Sequence, residues 1–365
     1  MTDTLQTSAV PQLSLRQDAR RIPEHYSSDA PDTFEWWYFD AQLADGRALV
    51  IAFVIDPDPA SGRFVYRTQA TLTRPDGPPL VGNHRTYDDV AISTERPEVR
   101  IGQAWLRGDL DTYRVVVDAA NHNGLGMDLT IERTVPSRVS PSGSDLLVDQ
   151  GGQFGWVNAV PRGDLFGTLT INGQATDVRG VAYHDHNWGT TTMGSMVHHW
   201  IWGRAAIGPY TAVFADMVLT RPYQVDGVDT QQSLYIASGD EVLVNVIGAG
   251  AARVTATTAP NPSPRNHAAY YASSVVFEIE QPSRQLTLEV APASFLHDID
   301  LANEANRLNT DERARAATVS VKPWYTEFQA APVRLTVTDL QDGGHAKTSV
   351  GGGIIEFMDF HLNPR

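Results

Sequence analysis

Cysteine is absent from this 365-residue sequence, which excludes disulfide bonds, thiolate metal sites and cysteine nucleophiles. Long apolar runs are absent too, since no stretch reaches the roughly 18 apolar residues of a membrane-spanning helix. Residues 1–20 are polar and contain no apolar signal core. We therefore predict a cytoplasmic protein without stable membrane insertion, and a flexible tail over residues 1–22.

Basic residues are outnumbered, because 28 Lys and Arg stand against 43 Asp and Glu and give a net charge of −15. Phosphate groups are bound by basic surfaces, so this balance disfavours nucleic acid and anionic membranes as partners. No nucleophile elbow, P-loop or dinucleotide fingerprint occurs in a convincing context. The run Gly351–Gly353 precedes a strand and not a helix, which predicts a close backbone approach instead of a nucleotide loop.

Signals for helices are few. The 29 Gly and 22 Pro, with many Val, Thr and aromatic residues, favour β-structure with frequent turns. Strand-like runs fill both halves of the chain. Residues 301–317 are the one plausible helix, with an irregular segment as the alternative. Residues 171–174, Ile-Asn-Gly-Gln, predict a tight two-residue hairpin.

An internal echo, meaning a short sequence pattern that recurs in the second half, divides the chain. Trp37 and Trp200 lie 163 residues apart, and each is followed by a turn and an apolar strand. Chance similarity of tryptophan-rich strands is the alternative to duplication. The echo predicts an all-β fold of two β-barrels or deep sandwiches in tandem, over residues 23–194 and 195–365, with a site at their interface.

Polar and aromatic residues crowd together in residues 181–189, Val-Ala-Tyr-His-Asp-His-Asn-Trp-Gly. Buried donors and acceptors cost free energy unless they are hydrogen-bonded. Such a segment is therefore either a structural latch, in which buried hydrogen bonds hold parts of the chain together, or the wall of a site. His184 and His186 would face the same side of a strand. No third ligand has a convincing spacing, so we predict no metal. For His186 we expect a proton relay or a hydrogen bond to substrate, with a structural bond to a carbonyl or to Asp185 as the alternative.

Asp216 lies in an otherwise apolar strand, residues 210–219. Burial there would disfavour its ionised form, which is how enzymes make a carboxyl group into a general acid. The alternative is a structural ion pair, for example with Arg204. Strand alternation predicts that Phe214 shares a face with Asp216. Glu35 is a second candidate acid, or a latch that accepts from backbone donors.

Large aromatic residues surround these candidates. They predict a pocket for a long apolar or polyene ligand, with plain core packing as the alternative. We expect an apolar small molecule as the partner, and the sequence leaves the oligomeric state open. The predicted substrate-binding residues are Trp37, Tyr183, Trp188, Trp200, Tyr210, Phe214 and Trp324.

Several of these segments together resemble the hydroxyneurosporene synthase (carotenoid 1,2-hydratase) family. That broad family also includes kievitone-hydratase-like proteins and the lipocalin-like Diels–Alderases of fungal decalin biosynthesis. The resemblance implies two lipocalin-like barrels and a cofactor-free site between or within them. The matching segments are residues 35–38, 161–173, 183–189, 200–204 and 353–357.

In the hydratases of this family a carboxylic acid protonates a C=C bond and water captures the cation. Carried over to this chain, the His-x-Trp pair falls on His186 and Trp188, and the aromatic-x-Asp pair falls on Phe214 and Asp216. Phe214 stands where the hydratases have Tyr, which puts water activation in doubt. That departure leaves room for cyclisation of the cation or for a pericyclic reaction.

Three hypotheses follow for function. The first is a cofactor-independent enzyme, a hydratase or cyclase acting on an isoprenoid or polyene in secondary metabolism. Asp216 would then donate the proton, His186 would orient it, and Trp188, Trp200 and Phe214 would shield the cation. The second is a pericyclase that folds a linear polyene for an intramolecular Diels–Alder reaction. The third is a non-enzymatic, lipocalin-like carrier of an apolar metabolite.

Overall fold

The structure is a computed structural model that describes residues 12–74, 77–139, 145–149, 152–191, 193–224, 229–259, 271–300, 324–341 and 343–360. The predicted helix over residues 301–317 lies outside them. Helical structure in the described ranges consists of α1 (Met193–Met196) and two 3₁₀ turns, Leu15–Gln17 and Arg221–Tyr223. None of these helices has the length and hydrophobicity needed to cross a membrane.

The first half of the chain forms a nearly closed antiparallel sheet, in the order β4-β3-β2-β1-β12-β11-β9-β8-β7-β6-β5, with β10 paired to β11. Its strands are β1 (Phe34–Leu43), β2 (Ala48–Asp58), β3 (Arg63–Arg74), β4 (Gly77–Thr86), β5 (Val90–Ile92), β6 (Glu98–Ile101), β7 (Ala104–Gly108), β8 (Thr112–Val117), β9 (Leu125–Arg133), β10 (Asp145–Asp149), β11 (Gly152–Ile171) and β12 (Gln174–Gly189).

The second half forms a nine-stranded half-barrel in the order β16-β15-β14-β13-β21-β20-β19-β18-β17. Together the two sheets confirm the predicted all-β fold of two barrel-like units, and the boundary predicted at 194/195 falls within α1. The strands of this sheet are β13 (Val197–Ile207), β14 (Tyr210–Leu219), β15 (Thr230–Ser238), β16 (Glu241–Gly248), β17 (Arg253–Thr258), β18 (Ala272–Glu280), β19 (Arg284–Asp300), β20 (Trp324–Asp339) and β21 (His345–Asp359).

Two glycine-containing segments adopt the local structures expected from the sequence. Asn172 and Gly173, with φ of 50° and 84°, form the tight turn between β11 and β12, because a two-residue hairpin of this kind needs positive φ. At Gly351, a Cβ atom would lie 1.9 Å from the carbonyl oxygen of Ala206. The glycine run therefore does permit a close approach of two backbones.

The two sheets share a topology. In each, the first strand pairs with the last, so that β1 pairs with β12 and β13 pairs with β21. In each, the sheet edges are the fourth and fifth strands in chain order, β4 and β5 in one sheet and β16 and β17 in the other. This equivalence matches the internal echo of the sequence.

On β1 and β13, however, an offset of 163 does not keep equivalent faces together. Trp37 points into the first barrel, where its ring stacks on His186, whereas Trp200 belongs to the packing between the sheets. Ile201, which follows Trp37 by 164 residues, lies in the core of the half-barrel. Because strand faces alternate, an offset of 163 on these two strands exchanges the barrel interior with the interface.

Three apolar clusters follow from this arrangement. One fills the first barrel, one fills the half-barrel, and the third lies between them. The interface also contains a buried ion pair, in which Arg204 of β13 donates to Asp40 of β1. Burial raises the pKa of Asp40, although the charge of Arg204 opposes that rise.

We predict that Arg204→Met destabilises the protein strongly, because it leaves the Asp40 carboxyl buried without its cation. The free energy of unfolding should fall by about 3–5 kcal/mol in urea denaturation followed by tryptophan fluorescence. The double change Asp40→Leu with Arg204→Met should restore most of that loss. The control is Arg114→Met, which removes an exposed ion pair with Asp128 and should change stability little. A loss for Arg204→Met no larger than this control would contradict the prediction.

Candidate active site at the interface

The polar segment at the end of β12 serves both of the roles considered for it, one on each face of the strand. His184, His186 and Trp188 point into the first barrel, where they contact Phe39, Trp37 and the N-terminal segment. Tyr183, Asp185 and Asn187 point the other way, toward the second half. Strand alternation therefore makes one face a latch and the other the wall of the interface.

The latch is built around Asp18, which is fully buried. One oxygen of its carboxylate accepts from Tyr113 and lies 3.2 Å from Nε2 of His184. Its backbone oxygen accepts from the Trp37 indole at 2.9 Å. Nδ1 of His186 lies 3.1 Å from the backbone oxygen of Gln17. The flexible tail predicted over residues 1–22 therefore does not extend to this segment, which packs into the barrel.

Glu35 belongs to the same latch. Its Oε1 accepts from the backbone N–H of Arg21 at 2.6 Å and lies 2.8 Å from Nε2 of His186. The Arg21 guanidinium lies over the ring of Trp188 at 5.1 Å. These contacts correspond to the latch proposed for Glu35 as the alternative to a second acid.

On the interface face, Asp185 is held by three donors. The Trp156 indole donates to it at 2.8 Å, the Tyr183 hydroxyl at 2.7 Å and the Asn187 amide at 2.8 Å. Burial nevertheless raises the pKa of Asp185 to about 6, since desolvation outweighs these bonds.

The second half contributes a pair of glutamates that are directly opposite each other on β20 and β21. The Trp200 indole donates to Glu356 at 2.7 Å, and the Tyr38 hydroxyl donates to Glu327 at 3.4 Å. Burial raises the pKa of Glu356 to about 7. Burial also raises the pKa of Glu327 well above its ordinary range, and the neighbouring charge of Glu356 raises it further.

Aromatic rings surround these carboxyl groups. Trp36, Tyr38, Trp200 and Tyr325 are half-buried, and they pack against the cluster between the sheets. The Tyr183 ring meets that of Trp202 at 5.2 Å. Burial raises the pKa of these carboxyl groups, and a protonated carboxyl group among aromatic rings is suited to donate a proton or a hydrogen bond to an apolar ligand.

The structure distributes the predicted site residues over three places. Glu35, Trp37, His186 and Trp188 lie inside the first barrel, and Tyr183 and Trp200 lie at the interface. Phe214 and Tyr210 pack with the core of the half-barrel, and Trp324 is buried where β20 begins. Their roles in catalysis stay predictions.

Asp216 shares the strand face of Phe214, as predicted, and that face points into the half-barrel. Its carboxylate accepts from the Gln232 amide at 2.9 Å, and Arg204 points to the interface instead. Asp216 and His186 therefore lie inside different barrels. The two side chains of the predicted relay, in which His186 orients Asp216, thus point into separate cores.

The interface carboxyls were not singled out from the sequence. Asp40, Glu327 and Glu356 each interrupt an apolar strand, as Asp216 does. The same signal could therefore have identified them. No group of three or more histidine, aspartate and glutamate side chains in the described ranges is arranged to hold a metal ion.

Fold and site together define an all-β protein whose two barrel-like halves enclose buried carboxyl groups. The profile of the Diels-Alderase-like family matches residues 2–251, which is 250 of 365 residues. The chain belongs to this family. The resemblance inferred from the sequence motifs is thereby confirmed.

Two curated relatives show the range of this similarity. The quinolone epoxide rearrangement protein asqO of Emericella nidulans is 25% identical over 240 residues, which cover 58% of this chain and 61% of the relative. The hydroxyneurosporene dehydrogenase of Chlorobaculum tepidum is 24% identical over 210 residues, which cover 48% of this chain and 54% of the relative. The chain thus spans less than two thirds of the length of the curated relatives that it matches.

Two solved structures share the whole fold. The crystal structure of CghA with Sch210972 aligns with a TM-score of 0.62 at 16% identity and covers 95% of each chain. Kievitone hydratase from Nectria haematococca aligns with a TM-score of 0.59 at 12% identity, over 98% of this chain and 95% of the other. At these identities the likeness concerns the fold alone.

We predict that the protein loses stability as the pH rises from about 4.5 to about 7. The pKa of Glu356 rises from its ordinary value of 4.5 to about 7 on folding, so the folded state retains a proton that the unfolded state releases. Over this window the free energy of unfolding should fall by about 3 kcal/mol because of Glu356 alone. Urea unfolding across the pH range measures the effect.

Glu356→Gln should flatten this decline and raise stability above pH 7, because the neutral amide carries no ionisation cost. Glu289→Gln, at an exposed position of β19, is the control and should leave the decline unchanged. An equally steep decline in Glu356→Gln would show that other groups cause it.

Proposed function

We propose that this protein is a cofactor-independent enzyme of secondary metabolism that uses a buried carboxylic acid to hydrate, cyclise or rearrange an apolar unsaturated substrate. The pair Glu327 and Glu356 carries the proposal, because burial favours the protonated form of both groups near neutral pH. The names of the relatives describe a hydratase and an epoxide rearrangement protein. Activation by an acid is common to both of these reaction types.

Glu356 is the better placed of the two donors. Its pKa of about 7 lets it give up a proton near neutral pH and regain it in the next cycle. Its O–H bond would break as a C–H bond forms at one carbon of a C=C, and a carbocation would form at the other. Water, or a second C=C of the same molecule, would then attack the cation. Loss of a proton would complete the product, and Glu356 would recover its own.

The surrounding groups support such a cation. Trp200 and Tyr325 bond to Glu356 through their N–H and O–H groups, and Trp202 is its partner in the register of β13 and β21. Aromatic rings of this kind would stabilise a positive charge that formed over their faces. Asp185 is near enough for its charge to raise the pKa of Glu356. We assign Glu327 the role of a neutral neighbour of Glu356, which accepts a hydrogen bond from the Tyr38 hydroxyl.

A pericyclic reaction is the second candidate, and the Diels-Alderase-like family favours it. Here Glu356 would keep its proton and donate a hydrogen bond to a carbonyl conjugated with the diene or dienophile. Catalysis would come from positioning and from that bond. The product would then contain no carbon-bound hydrogen from solvent.

The test is turnover in D2O by the wild type, Glu356→Gln and Asp216→Asn. Candidate substrates are a quinolone epoxide, kievitone and the acyclic polyene neurosporene. For protonation we expect carbon-bound deuterium in the product, and a fall in kcat of about 10²–10⁴ in Glu356→Gln, the usual contribution of a general acid. The activity of the wild type should decline as the pH rises through about 7.

Asp216→Asn is the matched comparison, since it removes a carboxyl group from the half-barrel and leaves the interface intact. Full activity in Glu356→Gln with activity lost in Asp216→Asn would overturn the assignment and restore the candidate from the sequence. For a C=C substrate, product without carbon-bound deuterium would indicate the pericyclic reaction. Acid-assisted opening of the epoxide, which protonates oxygen, is recognised instead by its dependence on Glu356. Tight binding of these compounds without conversion would support the carrier hypothesis.

A further inference from the structure

Arg138 is a buried cation that neither the latch nor the acid pair explains. It lies between β9 and β10, and its side chain is only 2% exposed. Its backbone pairs with that of Asn158 of β11, through hydrogen bonds of 2.8 Å and 3.1 Å. This pairing fixes the guanidinium at the interface between the two halves.

The guanidinium is held by neutral groups. It donates to Ser233 and, at 3.3 Å each, to Asn158 and Asn245. It also lies over the Trp156 ring, 4.7 Å from the centroid. Arg204 contrasts with it, because Arg204 is equally buried and pairs with Asp40.

No carboxylate of the described residues forms an ion pair with Arg138. A buried charge without a counter-charge is costly, and an arginine cannot relieve the cost by losing its proton at ordinary pH. Burial does lower the pKa of Arg138, to about 10, which still leaves it charged. Cation–π contact and neutral acceptors hold the group without supplying negative charge.

Among the described residues, the guanidinium has acceptors for only part of its donors. It carries five N–H groups, and the three bonds above use one from each nitrogen. The two terminal nitrogens each carry one further N–H, and an arginine can use such a pair to bind two oxygens of a carboxylate or enolate.

Arg138 is connected to the candidate active site by direct contacts. Asn158, which accepts from Arg138, donates to the Tyr183 hydroxyl at 2.7 Å. Tyr183 in turn donates to Asp185 and packs against Trp202, the neighbour of Glu356 across β13 and β21. These contacts place Arg138 and the acid pair at the same interface.

We propose that Arg138 binds an acidic oxygen of the ligand, so that the molecule taken up at the interface is an apolar unsaturated compound with one carboxylate or enolate group. This inference rests on the proposed function for the location of the site. It adds the charge of the substrate and the residue that selects it.

The test compares two polyene probes that differ in one group, all-trans-retinoic acid and all-trans-retinol. Their dissociation constants are measured by quenching of tryptophan fluorescence, at a pH where retinoic acid is ionised. The wild type should bind the acid at least about tenfold more tightly than the alcohol, the usual strength of one charged hydrogen bond. Arg138→Met should abolish this preference and leave the affinity for retinol unchanged.

Two further variants make the result specific. Arg138→Lys keeps the charge and should retain part of the preference, whereas Arg114→Met removes an exposed arginine and should retain all of it. A wild type that does not prefer the acid, or that binds neither probe, would overturn the proposal even if Arg138→Met failed to fold. An unchanged preference in a folded Arg138→Met would do the same.

Failure of the proposed function would give a different pattern. Glu356→Gln should lose turnover but keep the preference for retinoic acid, because it leaves Arg138 intact. Loss of the preference with turnover still dependent on Glu356 would reject only the anion site. Turnover independent of Glu356, with the preference intact, would reject only the acid.

Discussion

The two halves of this protein pack sheet against sheet, and the strands at that contact are buried on both faces. Side chains alternate along a strand, so each contact strand needs one set of residues for a barrel interior and another for the interface. β12 meets this need with His184 and His186 on one face and with Tyr183 and Asp185 on the other. Polar groups buried on both faces are costly unless they are bonded, which explains why the hydrogen-bond networks concentrate on β1 and β12.

The same constraint explains which parts of the structure the sequence predicted. Strands, the hairpin at Asn172 and the close approach at Gly351 depend on local patterns, and local patterns are visible in one chain. The repeat was visible too, because Trp-rich first strands recur in both halves. Its offset of 163 did not keep the faces of β1 and β13 together, since a tryptophan can serve on either face and the sequence does not show which face meets which core.

The candidate site was harder to predict because it depends on contacts between distant residues. Asp216 and Glu356 both interrupt apolar strands, and nothing local distinguishes them. The pairing of β13 with β21 and of β20 with β21 brings Glu356 beside Glu327 and Trp200. The fold places Asp216 beside Gln232, inside the half-barrel. Likewise, the latch for His186 is formed by Gln17 and Asp18, more than 160 residues away, and no spacing rule connects them.

The side chains that neighbour each interface carboxyl group influence whether it is protonated. Asp40 has the cation of Arg204 beside it, which opposes the effect of burial on its pKa. Glu356 is held by the neutral donors Trp200 and Tyr325, which stabilise a carboxylate less than an arginine does. Desolvation therefore dominates at Glu356, and the same interface holds one carboxyl that is ion-paired and another that is suited to carry a proton.

One buried acid of this kind is compatible with more than one reaction. Given an electron-rich alkene carbon or an epoxide oxygen it transfers its proton, and given a carbonyl oxygen it donates a hydrogen bond and keeps the proton. The choice then depends on which atom of the substrate lies against Glu356. An anchoring charge at Arg138 would fix that choice, because it sets how the ligand is aligned relative to Glu356. On this view Glu356 supplies the acid, and the distance from the acidic group of the ligand to its reacting carbon selects the chemistry.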